Sequence, residues 1–264
     1  MNIEDFEAYC FDLDGTIYLG DELLPGAKEI LNTLRKKGKR ILFITNSPTR
    51  TRAECQKKLE DFGIEVCREE ILTGPYIAAL YFAETFPDAV VYVVGEAAIH
   101  TEFEHMSIRM TDDPLKATHV MVGLDRSFTY AKLQRAMDAV RNGAKIIVTN
   151  PDPVCPVPGG LIPDTYAIAR AIEVASGQSI YEVTGKPSVF YGNRILQTLH
   201  VEKEGCLIIG DRLETDILMG KFNEIQTCLV LTGIARPEDV DRKKIYPDFI
   251  VEDLHSLFAD MAYA

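Results

Sequence analysis

No apolar run in the 264 residues reaches the length of about 18 that a membrane-spanning helix needs. The opening MNIEDFEAYC has neither the basic start nor the apolar core of an export signal. A protein of the cytoplasm that stays off membranes is the expectation. Cations are in deficit: 28 Lys and Arg face 40 Asp and Glu, a formal charge of -12. A field of that sign repels phosphate backbones and anionic lipid, so no nucleic-acid partner is expected. Also missing are GxGxxG and GxxxxGK(S/T), the glycine-rich cradles of dinucleotide and P-loop sites, and HExxH, so the five histidines form no zinc pattern. The six cysteines contain no CxxC pair, and no N-glycosylation acceptor occurs, which fits reduced thiols rather than a disulfide framework.

What is present is ordinary globular composition, 47% hydrophobic and 26% charged, over a length that favours two domains. Seven apolar runs have strand length: YCFDL (9–13), ILFIT (41–45), VVYVV (90–94), HVMVGL (119–124), KIIVT (145–149), CLIIG (206–210) and TCLVL (227–231). Their apolarity is continuous rather than alternating, which predicts strands buried on both faces. Between the first two lies GAKEILNTLRKKG, where Ala27, Ile30, Leu31 and Leu34 keep helical spacing and Gly38 provides a stop. ETDILMGKF repeats that alternation between CLIIG and TCLVL. The pattern predicts a doubly wound α/β parallel sheet. YAKLQRAMDAVRNG and DTYAIARAIEVASG predict helices of a second, smaller α/β domain inserted at 78–181, leaving 1–77 and 182–264 as the core. Five of the 13 prolines fall within NPDPVCPVPGGLIP (150–163), predicting a stiff loop that either shapes a site or merely leads to a helix capped by Asp164.

Chemistry concentrates where strands end. In FDLDGT (11–16), alternation puts Asp12 and Asp14 on one side of an extended chain just before Gly15. Two carboxylates about 4 Å apart repel by roughly 4 kcal/mol at an effective dielectric constant of about 20, so the pair calls for a cation or a proton. A solvated Asp-Gly turn is the competing explanation, and it is weakened by the buried strand directly ahead, because open α/β sheets place ligands at strand carboxyl ends. ILFITN ends in Thr45 and Asn46, which suit anionic oxygens. Lys186 precedes Pro187, a residue favoured in the first turn of a helix, so an ammonium and a helix N-terminus converge on one anion. IIGDRLETD carries Asp211 and, five residues on, Asp216.

The order of these motifs resembles that of the haloacid dehalogenase superfamily of phosphotransferases. LLPGA, ITNSP, VTNPDP, GDRLETDI and VLTGIA look like its NagD-like branch, whose insertion is a type IIA cap. The resemblance implies a Rossmann-like core, an α/β cap that selects substrate, and a phosphoric monoester hydrolase working through an aspartyl phosphate. It makes Asp12 the nucleophile and Asp14 the general acid and base. It gives phosphate binding to Thr45, Asn46, Lys186 and the backbone N–H groups around Leu13 to Gly15. It assigns Mg²⁺ to Asp12, the Asp14 backbone carbonyl and Asp211, with Asp216 supporting the ion from behind. Asp152, Pro153 and Pro158 of the cap loop are the residues that would meet the leaving group, and a homodimer through the cap is implied. Substrates implied are small metabolites, sugar phosphates first, then nucleotides, phosphoglycolate or pyridoxal phosphate. A catalytically silent binding or regulatory protein on the same fold is the alternative of another class, and the complete set Asp12, Asp14, Lys186 and Asp211 speaks against it.

Overall fold

The computed structural model describes residues 3–157 and 160–257. In chain order the strands are β1 (Ala8–Asp12), β2 (Tyr18–Leu19), β3 (Glu22–Leu23), β4 (Arg40–Thr45), β5 (Ile71–Thr73), β6 (Val90–Val94), β7 (Arg109–Met110), β8 (His119–Val122), β9 (Lys145–Val148), β10 (Val154–Val157), β11 (Gly160–Pro163), β12 (Ile180–Val183), β13 (Cys206–Gly210), β14 (Gln226–Val230) and β15 (Phe249–Val251). The helices are α1 (Ala27–Lys36), α2 (Arg52–Asp61), α3 (Gly74–Thr85), α4 (Ala97–His105), α5 (Tyr130–Arg141), α6 (Thr165–Ser176), α7 (Val189–Leu199), α8 (Leu218–Asn223) and α9 (Pro237–Lys243). Among the described residues no helix is long and apolar enough to cross a membrane.

The chain divides into two units, one of Met1–Thr45, Gln56–Leu72 and Lys186–Ala264, the other of Asn46–Cys55 and Thr73–Gly185. The sequence places its boundaries at 77/78 and 181/182, which fall inside α3 and β12. The chain passes between the units at 45/46, 55/56, 72/73 and 185/186; at the third of these Thr73 caps α3 with its side chain and Pro75 sits in that helix's first turn.

The first unit is built on a six-stranded sheet ordered β15-β14-β13-β1-β4-β5. Every residue of β1 and β13 is buried, as is all of β4 after Arg40, which is why their sequences read as unbroken apolar runs. β1 pairs in parallel with both β4 and β13. The chain therefore builds outward from β1 to β5 and then returns to the other side of β1. The reversal lies between β1 and β13, where doubly wound sheets open a crevice at the strands' carboxyl ends. Asp12 closes β1 and Asp211 follows β13, so both stand at that crevice. Helix α1 buries the four residues its spacing singles out, and Gly38 ends it at φ 68°.

The second unit has its own five-stranded parallel sheet, ordered β12-β9-β8-β6-β7. Both helices expected here form, α6 with Asp164 as its cap and Gly177 as its left-handed stop. The proline-rich segment is a two-stranded antiparallel ribbon, β10 with β11, rather than a plain connector. Proline fits such a ribbon because each strand is an edge that leaves alternate N–H groups unneeded.

His119 opens β8 and is 6% exposed. Its ring lies 4.4 Å from that of Phe86 and 5.4 Å from that of Phe82. Nδ1 is 2.9 Å from Thr118 Oγ1, and Nε2 is buried without a partner among the described residues. Burial, reinforced by Lys145, lowers the imidazole pKa from 6.5 to about 4. The unfolded chain thus takes up this proton first as pH falls, so the neutral ring's contribution is complete above pH 6.5 and is lost toward pH 4. Urea unfolding at about pH 7 and about pH 5 is expected to show wild type losing roughly 1–2 kcal/mol more than His119→Gln. Equal losses would refute this role for His119.

Candidate active site

The DxDGT segment folds into a tight turn in which Leu13 C=O accepts from the N–H groups of Thr16, Ile17 and Tyr18 at 3.3, 2.9 and 3.1 Å. Gly15 is required there: its φ is +90°, and a Cβ would lie 2.5 Å from Asp211 Oδ2. Its N–H, expected to face phosphate, donates to Tyr18 C=O at 2.7 Å. Asp12 is buried, whereas Asp14 is exposed and forms an isolated backbone bridge with Tyr18.

Asp211 is fastened by the loop after β14. Its Oδ2 accepts from Ile234 N–H at 2.7 Å, and its C=O accepts from Ala235 N–H at 3.0 Å. Gly233 leaves no room for a Cβ against the Asp211 carboxylate. Thr232 Oγ1 donates to Gly15 C=O at 2.6 Å, tying this loop to the DxDGT turn. In the sequence VLTGIA stands out only as a branch resemblance. Its structural use, a glycine at a close approach plus a backbone donor to Asp211, was signalled by nothing more than a glycine following an apolar run.

Lys186 is 2% exposed and donates to Asp12 Oδ1 at 2.5 Å and to Asp216 Oδ1 at 2.6 Å. Asp216 lies in a short π-helical turn, Leu213–Ile217, and its Oδ2 also accepts from Arg212 N–H at 3.3 Å and Thr215 Oγ1 at 3.2 Å. The helix after GKP begins at Val189 with Ser188 as its cap, so Pro187 precedes the cap instead of occupying the first turn. Ser188 offers the oxygen that this helix end needs, which proline cannot.

One oxygen from each of Asp12, Asp211 and Asp216 lies within 4.8 Å of the others. Three buried carboxylates thus surround one ammonium, leaving two uncompensated negative charges when all are ionised. Burial raises the Asp12 carboxyl well above its ordinary range, Lys186 opposes this, and Asp216 and Asp211 add to it. Burial, then Asp216, raises Asp211 to about 6. Burial works against the Lys186 charge, but Asp12 and Asp216 outweigh it and raise its pKa. Such a cluster of hard oxygens with excess charge fits a divalent cation.

Thr45 is buried at the end of β4, on a strand whose Ile44 is in register with Asp12. The remaining expected residues belong to the second unit. There the Asn46 amide donates to Asp152 Oδ2 at 3.2 Å, and the same oxygen accepts from Asn150 Nδ2 at 2.9 Å. Asp152 is 6% exposed and held in this network, while Pro153 is exposed. Pro158 lies outside the described residues.

Two family models match the chain: haloacid dehalogenase-like hydrolase over residues 9–109 and HAD-hydrolase-like over residues 183–257. An acid sugar phosphatase of Staphylococcus aureus is 34% identical over 259 residues, covering 98% of this chain and 99% of its own length. A 4-nitrophenylphosphatase from Thermotoga maritima superposes with a TM-score of 0.91 at 34% identity, with 97% of each chain covered. NagD from E. coli K-12 superposes with a TM-score of 0.86 at 29% identity, covering 96% of this chain and 98% of that one.

Proposed function

The chain belongs to the haloacid dehalogenase-like hydrolases, and from that premise we propose that it is a Mg²⁺-dependent phosphomonoesterase of small phosphorylated metabolites, acting through an aspartyl phosphate on Asp12. The observation that carries this reading is the meeting of Asp12, Lys186, Asp211 and Asp216 at the reversal point of the first unit's sheet.

Asp12 and Asp211 would hold the cation, with Asp14 contributing its backbone carbonyl and Asp216 orienting Lys186. When bound, the ion supplies positive charge that lets a carboxylate approach an anionic ester. Lys186 fixes one oxygen of Asp12, so the nucleophile is oriented before substrate arrives. In the first step an Asp12 oxygen bonds to phosphorus as the bond to the ester oxygen breaks, and Asp14 gives the departing alkoxide its proton. Asp14 is exposed, which allows it to trade protons with a leaving group and then with water. In the second step water passes a proton to Asp14 and displaces Asp12, releasing orthophosphate. Lys186 and the Thr45 hydroxyl would hold phosphoryl oxygens throughout, joined by the backbone N–H groups of Leu13 and Asp14 and by Asn46, the Gly15 N–H being taken by Tyr18 C=O. The Asn46 side-chain amide is engaged by Asp152, which competes with such a role.

Sugar phosphates stand first as substrates, supported by the acid sugar phosphatase likeness over nearly the whole chain. The inserted unit would act as a cap that selects among leaving groups, with Pro153 exposed on its predicted loop. A homodimer through that unit, a cytoplasmic location and indifference to nucleic acid belong to the same proposal. Phosphate release from a panel of sugar phosphates, nucleotides, phosphoglycolate and pyridoxal phosphate is expected to be fastest for a sugar phosphate. Chelation should abolish it and added Mg²⁺ restore it. Turnover unaffected by chelation would contradict the mechanism, and silence across the panel would favour a binding protein.

A further inference from the structure

Tyr191 is fully buried on α7, five residues after Lys186, and its N–H is capped by Ser188 Oγ at 3.1 Å. Its hydroxyl is hydrogen-bonded to main chain at two residues. Thr45 N–H donates to it at 3.2 Å, and it donates to Leu72 C=O at 2.7 Å, with Thr45 C=O also near at 3.3 Å. Thr45 and Leu72 end β4 and the first-unit part of β5, and they are the last residues of that unit before the chain passes to the other. One phenol oxygen thus joins two points where the chain leaves the first unit.

We propose that Tyr191 is a positioning residue for phosphoryl transfer: its hydroxyl fixes the ends of β4 and β5 and thereby holds the Thr45 side chain where the phosphoryl group is bound. The inference rests on the function proposed above, in which Thr45 contacts phosphoryl oxygens. Burial keeps the phenol protonated across any working pH, with Lys186 opposing and Asp12 and Asp216 reinforcing that effect, so the donor to Leu72 is always available. Loosening Thr45 costs most where contact must be tightest, in the transition state.

The test compares Tyr191→Phe with Tyr9→Phe, which removes a buried hydroxyl from the same unit away from the site. Tyr191→Phe is expected to lower kcat roughly tenfold with little change in KM, and to weaken inhibition by vanadate, a mimic of five-coordinate phosphorus, to a similar degree. Tyr9→Phe should leave kcat, KM and vanadate inhibition unchanged, and folded fractions are matched by thermal unfolding. Amide exchange at Thr45 should quicken in Tyr191→Phe and not in Tyr9→Phe. Thr45→Val separates this inference from the reading beneath it. If Thr45→Val loses kcat and, in its background, Tyr191→Phe costs less than about twofold, the two act through one another and the proposal stands. If Thr45→Val leaves kcat intact, the phosphate-binding role of Thr45 fails. If Thr45→Val loses activity but Tyr191→Phe behaves like Tyr9→Phe, or its loss is the same in both backgrounds, the positioning role of Tyr191 is overturned.

Discussion

Asp12→Asn is expected to cut kcat by on the order of 10⁴- to 10⁶-fold, the scale seen when a covalent nucleophile is removed. The amide matches the carboxylate in shape but cannot displace an alkoxide from phosphorus. The fold should persist, because the site carries two negative charges more than Lys186 can offset, and the substitution removes one of them. A thermal midpoint near or above that of wild type is therefore expected, since catalytic carboxylates held together by burial detract from stability. Loss of activity with a collapsed fold would leave the charge argument wrong, and retained activity would dismiss Asp12 as nucleophile.

Lys186→Met should damage both stability and turnover. The substitution keeps a long apolar stem but strands Asp12 and Asp216, each within 2.6 Å of the lost ammonium and each under a tenth exposed. Removing one partner of a buried ion pair costs about 3–5 kcal/mol, which lowers the unfolding midpoint by on the order of 10 °C in a chain of this size. Turnover should fall by roughly 10²- to 10³-fold or more through loss of charge opposite the phosphoryl oxygens. Added Mg²⁺ should recover part of the stability and none of the kcat, because a cation can replace the missing charge but not the orientation of Asp12. Calorimetry with and without the ion, beside steady-state kinetics, reads both. A midpoint within a degree or two of wild type in the absence of metal would show that the carboxylates are protonated and need no partner.

These residues were legible because their signal is local. Asp12, Thr45, Lys186 and Asp211 each follow or end a buried strand or precede a helix, and that junction can be read from a run of apolar letters giving way to a polar one. All seven apolar runs are strands for the same reason. What could not be read depends on contacts distant in sequence. β7, β12 and β15 are partly buried edge strands, and β5, though buried, has only three residues, so none leaves a long apolar run. The pairing of Asp216 with Lys186 spans 30 residues, and the clamp of Tyr191 on Thr45 spans 146. Nothing in GKPSVFY announces that the tyrosine's hydroxyl reaches main chain instead of water. Asn46 shows the opposite limit: its residue type suits phosphate, yet its amide is committed to Asp152, a partner 106 residues away.

Rapid acid quench of the Mg²⁺-loaded enzyme during turnover, followed by peptide mass spectrometry, tests the central claim most directly. One phosphoryl group is expected on the peptide that contains Asp12, accumulating within a turnover and absent from Asp12→Asn. Steady turnover with that peptide unmodified, or with the phosphoryl group on another residue, would contradict it.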